Sequence, residues 1–180
     1  MLYSYAECEN KYGNHYQIAK AVKSGILYKL AQGVYSDMPN VPEFAVIAYQ
    51  YPRSVFTLDS AFYYHGLTDV IPDIYYLATP KDAAKIRNPK IRQIFNCEDR
   101  FPVGISEMNR QGMNIRIYDR ERMLIELIRY AKKLPFDYYK EIIESYRRTV
   151  YSLDIQRLQE YVVIFPRSEE IMKSIELEVL

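Results

Sequence analysis

The sequence predicts an α+β fold in which a small N-terminal unit precedes a mixed sheet and a helical C-terminal region. Three observations lead to this prediction. Two short helix signals separated by a glycine begin the chain, short β-prone runs occupy the middle, and apolar residues recur at helical spacing from about residue 119 onward. Apolar residues make up 49% of the 180 residues, which is enough to bury a core and argues against intrinsic disorder.

The N-terminal unit begins with two predicted helices. Ser4 and Glu7 form a capping-box pattern, in which each side chain can satisfy a backbone donor of the other at a helix start. Gly13 suits the conformation that follows a helix end, and Asn14 then opens a second helix that Gly25 ends. Two short helices joined by a tight turn containing glycine are typical of a helix-turn-helix.

A predicted hairpin completes this unit. Residues 26–30 and 34–36 are β-prone runs on either side of a glycine turn. Helix, turn, helix and hairpin occur in the order of a winged helix. A turn-rich joint with two prolines follows at residues 37–42. We therefore expect a winged-helix DNA-binding domain over residues 1–40 and a second, mixed α/β domain over residues 41–180.

The middle of the chain mixes element types. Residues 44–49 favour a helix that stops before Pro52, and residues 58–65 predict a helix that Gly66 ends. Residues 74–78 form a short apolar run, which predicts a buried strand. Further strands are expected over residues 91–95, 104–108 and 113–118, with a turn at residues 110–112.

The C-terminal region is predicted to contain four helices, beginning at about residue 119. Asp119 is a suitable N-cap for the first, and Pro135 begins the second. Asp154 and Ser168 are expected to cap the third and fourth. Each apolar stripe covers one face only, so these helices must pack on one another, on the sheet or on a partner.

The second short helix and the hairpin carry the candidate nucleic-acid contacts. Ile18 and Val22 are four residues apart and point into the small core, which places the Lys-bearing side of the helix outward. Lys side chains neutralise phosphates, while Gln and His reach base edges. The alternative is an ordinary solvated helix face. The candidate DNA-binding residues are His15, Tyr16, Gln17, Lys20, Lys23, Lys29 and Gln32.

A second basic cluster lies in the middle of the chain and is opposed only by Asp82. It could contact nucleic acid or an acidic face of a partner protein. The alternative is a solvated loop and strand edge, where Lys also discourages pairing between strand edges. Its members are Lys81, Lys85, Arg87, Lys90 and Arg92.

Several function classes are not supported by the sequence. The chain shows no phosphate-cradling Gly loop, nucleophile elbow or zinc-protease helix, and the only histidines are His15 and His65. Asp69 and Asp73 lie in a turn-rich loop rather than in a metal-binding pattern. We therefore expect a non-enzyme without metal or cofactor. No secretory signal or membrane-spanning run is evident, and free thiols at two distant cysteines fit a cytoplasmic protein.

Three stretches of the chain resemble AbiEi-type abortive-infection antitoxins, a family of transcriptional regulators in type IV toxin–antitoxin systems. Residues 25–35 are similar to the family's wing, where a short strand leads into a Gly-hydrophobic-Tyr end. Residues 57–73 are similar to its Ser-Ala and His-Gly-Leu-Thr core motif, and residues 117–130 to its strand-to-helix signature. The three stretches occur in the family's order.

The resemblance implies an antitoxin that gives phage resistance with a partner toxin of the nucleotidyltransferase type. Such proteins neutralise the toxin mainly through the C-terminal domain and repress their own operon by binding inverted repeats. The resemblance carries over Tyr28 and Gly33 as wing residues, and Tyr28 joins the candidate DNA contacts. The two half-sites of an inverted repeat could be filled by monomers that associate only on the operator, so one expectation is a monomer in solution that associates on DNA. The chain has no Gly-Ser followed by an Asp-x-Asp pair, which fits the antitoxin rather than the toxin.

One departure from the family concerns the N-terminus. Many members carry an extra helix before the helix-turn-helix, whereas the first helix here is predicted to begin at about Ser4. The winged helix is therefore expected to be abbreviated. This leaves a second interpretation open, in which the unit is a protein-interaction module whose winged helix does not bind DNA.

Overall fold

The computed structural model describes residues 1–180 and has an α+β fold with eight α-helices and two β-sheets. Contacts divide the chain into two compact units, Met1–Arg53 and Ser54–Leu180. The boundary expected after residue 40 lies before helix α3 (Glu43–Gln50), which packs on a strand of the first unit. The first unit therefore extends thirteen residues further than the sequence-based boundary, to Arg53.

The first unit consists of two short helices, a small antiparallel sheet and a third helix. The sheet order is β1-β3-β2, so the strand that precedes the helices pairs with the second strand of the hairpin. This first strand was not predicted, because its three residues are too few to show a pattern. In addition to α3, the elements are β1 (Leu2–Ser4), α1 (Tyr5–Tyr12), α2 (His15–Lys23), β2 (Tyr28–Ala31) and β3 (Val34–Ser36).

The local signals in the first unit act as the sequence predicts. Ser4 accepts a hydrogen bond from the Glu7 backbone amide, and the Glu7 carboxylate accepts one from the Ser4 amide, which completes the capping box. Asn14 caps α2 by accepting from the Gln17 amide at 3.2 Å. The helices and hairpin enclose a small core whose buried members are Cys8, Ile18, Ala21, Leu27 and Tyr35.

The second unit contains a five-stranded mixed sheet with the order β6-β5-β4-β8-β7. Its central strand, Val55–Phe56, was not predicted because it is only two residues long. The strands and the first helix of this unit are β4 (Val55–Phe56), α4 (Leu58–Tyr64), β5 (Tyr75–Pro80), β6 (Ile91–Asn96), β7 (Ile105–Arg110) and β8 (Met113–Tyr118).

Four α-helices complete the second unit, with two short 3₁₀ turns between them. The first of the four, α5, is buried from Glu121 to Leu127 and packs against α4, α7 and α8. No helix in the structure is both long enough and apolar enough to span a bilayer. The bounds are α5 (Arg120–Tyr130), α6 (Phe136–Arg148), α7 (Ile155–Val162) and α8 (Ser168–Glu178), with the turns at Ala131–Lys133 and Val150–Ser152.

The expected caps of the C-terminal helices are confirmed in two cases and wrong in one. Asp119 accepts from the Arg122 amide at 2.8 Å, and Asp154 accepts from the Arg157 amide at 3.0 Å. Ser168 is the first helical residue of α8 rather than its cap. Arg167 occupies the position before it with φ 60°, and its side chain makes no capping hydrogen bond.

Candidate nucleic-acid interface

Helix α2 presents one apolar and one polar face, as the spacing of its residues requires. Ile18 and Ala21 are buried in the small core, while Val22 is half-buried against it. The outward side carries Tyr16, whose side chain is 72% exposed. The other candidate residues exposed along this helix are His15, Gln17, Lys20 and Lys23.

The hairpin adds further exposed groups to the same unit. Lys29 is exposed on β2, and Gln32 is exposed at the turn between β2 and β3. Tyr28 is half-buried at the start of β2. A Cβ atom added at Gly33 would meet no other atom within 4 Å, so the tip of the hairpin is open to a partner. We refer to the exposed candidate residues of α2 together with Lys29 and Gln32 as the α2–hairpin surface.

The charges of the first unit are unevenly distributed. The segment from His15 to Ser36 contains three Lys and no Asp or Glu. The unit's four carboxylates lie outside this segment, and hydrogen bonds to Glu7 and Asp37 hold two of them there. Glu7 accepts from the Tyr49 hydroxyl at 2.6 Å and from the Ser4 amide, and these hydrogen bonds lower its pKa to about 2.

The carboxylate of Asp37, just beyond the hairpin, also accepts hydrogen bonds within the first unit. It accepts hydrogen bonds from the N-terminal ammonium group and, at 2.9 Å, from the Tyr3 hydroxyl. Both interactions hold the pKa of the Asp37 carboxyl below its usual value. Residues 15–36 thus contain three lysines and no carboxylate. Positive charge is concentrated in this segment although the chain's net charge is only +1.

The second basic cluster lies in the other unit, at one edge of the five-stranded sheet. Its first four members occupy the loop between β5 and β6 or the residue just before β6, and Arg92 lies on β6, the edge strand. All five side chains are exposed. We refer to Lys81, Lys85, Arg87, Lys90 and Arg92 as the crossover cluster.

The second unit also buries a charged group that the sequence reasoning missed. Arg122 is fully buried, and its guanidinium donates to Glu126 at 2.6 and 3.1 Å and to the Arg100 carbonyl at 2.8 Å. Arg129 donates to the other oxygen of Glu126 at 2.7 Å. The rings of Tyr118 and Phe165 lie against the Arg122 guanidinium, at 4.6 and 4.4 Å. The signal was visible in the sequence as an Arg and a Glu four residues apart on a helix.

His65 and the loop that begins at Thr68 have hydrogen-bond partners within the second unit. His65 Nε2 lies 2.7 Å from the Tyr118 carbonyl, and burial lowers the pKa of the imidazole. Thr68 donates to Glu141 at 2.7 Å, and the Asp69 amide donates to the same carboxylate. No group of three or more His, Cys, Asp or Glu side chains is placed to hold a metal ion. The contacts of Thr68 and Asp69 with Glu141 position the loop that follows α4.

No protein-family model matches the chain, and no curated protein sequence matches it.

Proposed function

We propose that this chain is an antitoxin and transcriptional repressor of an abortive-infection toxin–antitoxin pair. The first unit binds operator DNA as an abbreviated winged helix, and the second neutralises a nucleotidyltransferase-type toxin. One observation carries the DNA-binding part of the proposal. A helix that buries Ile18 and Ala21 exposes Lys20 and Lys23 beside a lysine-bearing hairpin, in a segment without carboxylates.

The roles of individual residues follow from the geometry of winged-helix recognition. Helix α2 enters the major groove, where Gln17 reaches base edges and Lys20 and Lys23 neutralise phosphates. The hairpin acts as the wing, on which Lys29 contacts the backbone and Gln32 lies at the tip. Strand β1, which precedes the helices, supports this arrangement because it pairs with β3 of the hairpin and holds the hairpin against the helices.

The antitoxin part of the proposal rests on the resemblance of three stretches to the AbiEi-type antitoxins. Two of them meet in the centre of the second unit. The Thr57 hydroxyl donates to Met123 Sδ at 3.8 Å, and His65 bonds to the Tyr118 carbonyl. Motif residues of these stretches thus support one another in the core, which is consistent with a shared fold. The outer surface of this unit is then available for a toxin.

The DNA-binding proposal predicts a change in salt dependence. The triple variant Lys20→Gln/Lys23→Gln/Lys29→Gln should bind the operator more weakly and flatten the slope of log K against log salt by up to about 2.7, if each Lys neutralises one phosphate. A gel-shift titration over salt with the promoter fragment measures this. A matched variant, Lys132→Gln/Lys140→Gln/Lys173→Gln, removes three exposed lysines of the second unit and should behave as the wild type.

A different result would favour the second interpretation, a protein-interaction module. Four large apolar side chains are exposed on the first unit, which suits a protein partner: Met1 at 71%, Tyr16 at 72%, Ile26 at 60% and Met38 at 45%. If wild-type protein fails to shift the promoter fragment at low salt, or if both triple variants shift it equally, the DNA-binding role is wrong and this interpretation replaces it.

Since the proposal assigns DNA binding to the first unit and toxin neutralisation to the second, it predicts that the first unit is dispensable for toxin neutralisation. The truncated protein should begin at Ser54, because deletion of residues 1–36 alone would remove β3 and leave α3 without the strand on which it packs. We expect residues 54–180, once shown by circular dichroism to be folded, to restore growth when co-expressed with the toxin. They should no longer repress the promoter. Loss of growth rescue by this folded truncation would contradict the proposal.

A further inference from the structure

The connection between β5 and β6 is unusual for a pair of parallel neighbouring strands. Such a connection must return along the length of the strands, and in most proteins an α-helix makes that return. Here residues 81–90 make it without a helix or strand. Since β6 is an edge strand, this irregular loop lies at the border of the sheet. Loops that replace regular structure in a compact unit are commonly functional.

The loop is held in place by one side chain, that of Gln93 near the middle of β6. Its amide nitrogen donates to the Ala84 carbonyl at 3.1 Å and to the Thr79 hydroxyl at 2.8 Å. Its amide oxygen accepts from the Ile86 backbone amide at 2.8 Å. The middle of the loop is therefore fixed beside the middle of β6. Six residues of strand extend about 20 Å, so the cations of the loop are distributed over a comparable length.

Three cations of the loop, Lys81, Lys85 and Arg87, lie outside the ion pairs of the second unit. Asp82 is the only carboxylate between Ile74 and Cys97. The ion pairs that the structure describes in this unit are made by Arg100, Arg122, Arg129, Arg157 and Arg167, and Lys81, Lys85 and Arg87 take part in none of them. Arg92 lies on the opposite face of the edge strand from Gln93, over the Tyr76 ring at 5.9 Å, where its charge interacts with the Asp59 carboxylate.

We propose that the loop members of the crossover cluster, Lys81, Lys85, Arg87 and Lys90, form a second nucleic-acid-binding surface, which binds the phosphate backbone of a nucleic-acid strand along the β6 edge. The proposal concerns a different unit from the operator-binding one and does not depend on it. A fixed row of cations suits a polyanion with regularly spaced charges. Phe95, 47% exposed on the same face of β6 as Gln93, offers a ring on which a base can stack.

An acidic protein partner fits this surface less well. Protein interfaces depend on apolar and aromatic anchors at their centre. Among the large apolar side chains from Lys81 to Asn96, Phe95 is the only one that is strongly exposed. The loop offers charge and backbone groups around it, which recognise phosphates and sugars rather than a hydrophobic patch.

The test uses full-length protein and fluorescent 20-nucleotide DNA of mixed sequence, single-stranded and duplex, in anisotropy titrations over salt. The variant Lys81→Gln/Lys85→Gln/Arg87→Gln should bind at least about tenfold more weakly near 0.1 M salt. Its salt slope should fall by about 2 for single strands or about 2.7 for duplex. The variant Lys132→Gln/Lys140→Gln/Lys173→Gln removes the same charge elsewhere in the unit and should leave both quantities unchanged.

The measurements are repeated in the Lys20→Gln/Lys23→Gln/Lys29→Gln background, so that the two surfaces are judged separately. A loss on the crossover substitutions in both backgrounds supports the proposal, whatever happens at the operator. Equal binding by the crossover and control variants overturns it. So does tighter binding of a polyglutamate peptide than of either oligonucleotide, since that result identifies an acidic protein as the partner. If the triple variant does not fold, Lys85→Gln and Arg87→Gln singly should each lower the slope by about 0.7 to 0.9.

Discussion

The two units use charged side chains in opposite ways. In the first unit, Lys20 and Lys23 are exposed on α2, and the core beneath them is apolar apart from a thiol and a tyrosine hydroxyl. In the second unit, Arg122 is fully buried and Glu126 is 4% exposed, and both lie inside the layer where α5 meets its neighbours. The lysine charges of the first unit therefore face solvent, while the Arg122–Glu126 charges of the second unit are part of its packed interior.

The difference has an energetic consequence. An exposed lysine contributes little to stability, because water solvates it equally well in the unfolded chain. A buried ion pair has lost its hydration, so removing one member leaves the other uncompensated in a medium of low dielectric constant. Substitutions in the first unit should accordingly change binding without changing stability, and substitutions at the buried pair should do the reverse.

The largest expected effect is the loss of the Glu126 carboxylate. Glu126→Ala leaves the Arg122 guanidinium with only the Arg100 carbonyl and two aromatic rings as partners. We expect the free energy of unfolding of the second unit to fall by about 3 to 5 kcal/mol. Urea denaturation followed by circular dichroism measures this loss.

Two controls define the comparison. Glu170→Ala removes an exposed carboxylate that lies 3.7 Å from Arg167, and it should change stability by less than about 1 kcal/mol. The triple variant Lys20→Gln/Lys23→Gln/Lys29→Gln should be equally mild. If Glu126→Ala costs no more than Glu170→Ala, the buried pair does not hold the fold and the contrast between the units fails.

The elements that the sequence predicts correctly are those with local signals. Ser4 with Glu7, and Asn14 with Gln17, act within one helical turn, so their hydrogen bonds are visible in the residue order. Strands β1 and β4 have no such signal, since two or three residues show no alternation. Pairing partners distant in sequence define them: Tyr3 with Tyr35 in the first unit, and Phe56 with Leu77 and Ile117 in the second.

The same reasoning applies to the candidate site. The exposed face of α2 was predictable because a period of 3.6 residues separates buried from exposed positions on a short helix. The burial of Arg122 could not be predicted in this way, because an Arg and a Glu four residues apart on a helix are usually a solvated surface pair. Their burial depends on Phe165, from the turn after α7, and on the Arg100 carbonyl, neither of which is near in sequence.

A smaller effect is expected at Gly104, which lies directly over the buried arginine. Its φ is 77°, and a Cβ atom there would lie 2.4 Å from Arg122 Cβ and 2.9 Å from Asp119 Oδ1. Gly104→Ala combines backbone strain with a clash against the start of α5, and should cost about 3 kcal/mol in urea denaturation. Gly112→Ala has a similar φ of 79° but no atom within 4 Å. It should cost only about 1 kcal/mol, and equal losses would show that the packing over Arg122 is loose.

The smallest effect concerns His65, the buried histidine of the second unit. Burial lowers the pKa of His65 below its usual 6.5, and the nearby Arg120 acts in the same direction, while the Tyr118 carbonyl and Glu121 oppose it. As the pH falls, His65 is therefore protonated in the unfolded chain at a higher pH than in the folded chain. The contribution of neutral His65 to the free energy of unfolding is complete above about pH 6.5. It is lost as the pH falls toward the lowered pKa, with a slope of at most about 1.4 kcal/mol per pH unit.

Urea denaturation between pH 7.5 and 6 isolates this contribution. Burial raises the pKa of Asp59 and Asp119 from 3.8, so their effect has the opposite sign and belongs to more acidic solutions. His65→Gln should flatten the pH dependence of the second unit's stability in this range. If His65→Gln keeps the wild-type pH dependence, protonation of this imidazole does not contribute to the stability of the second unit in this range.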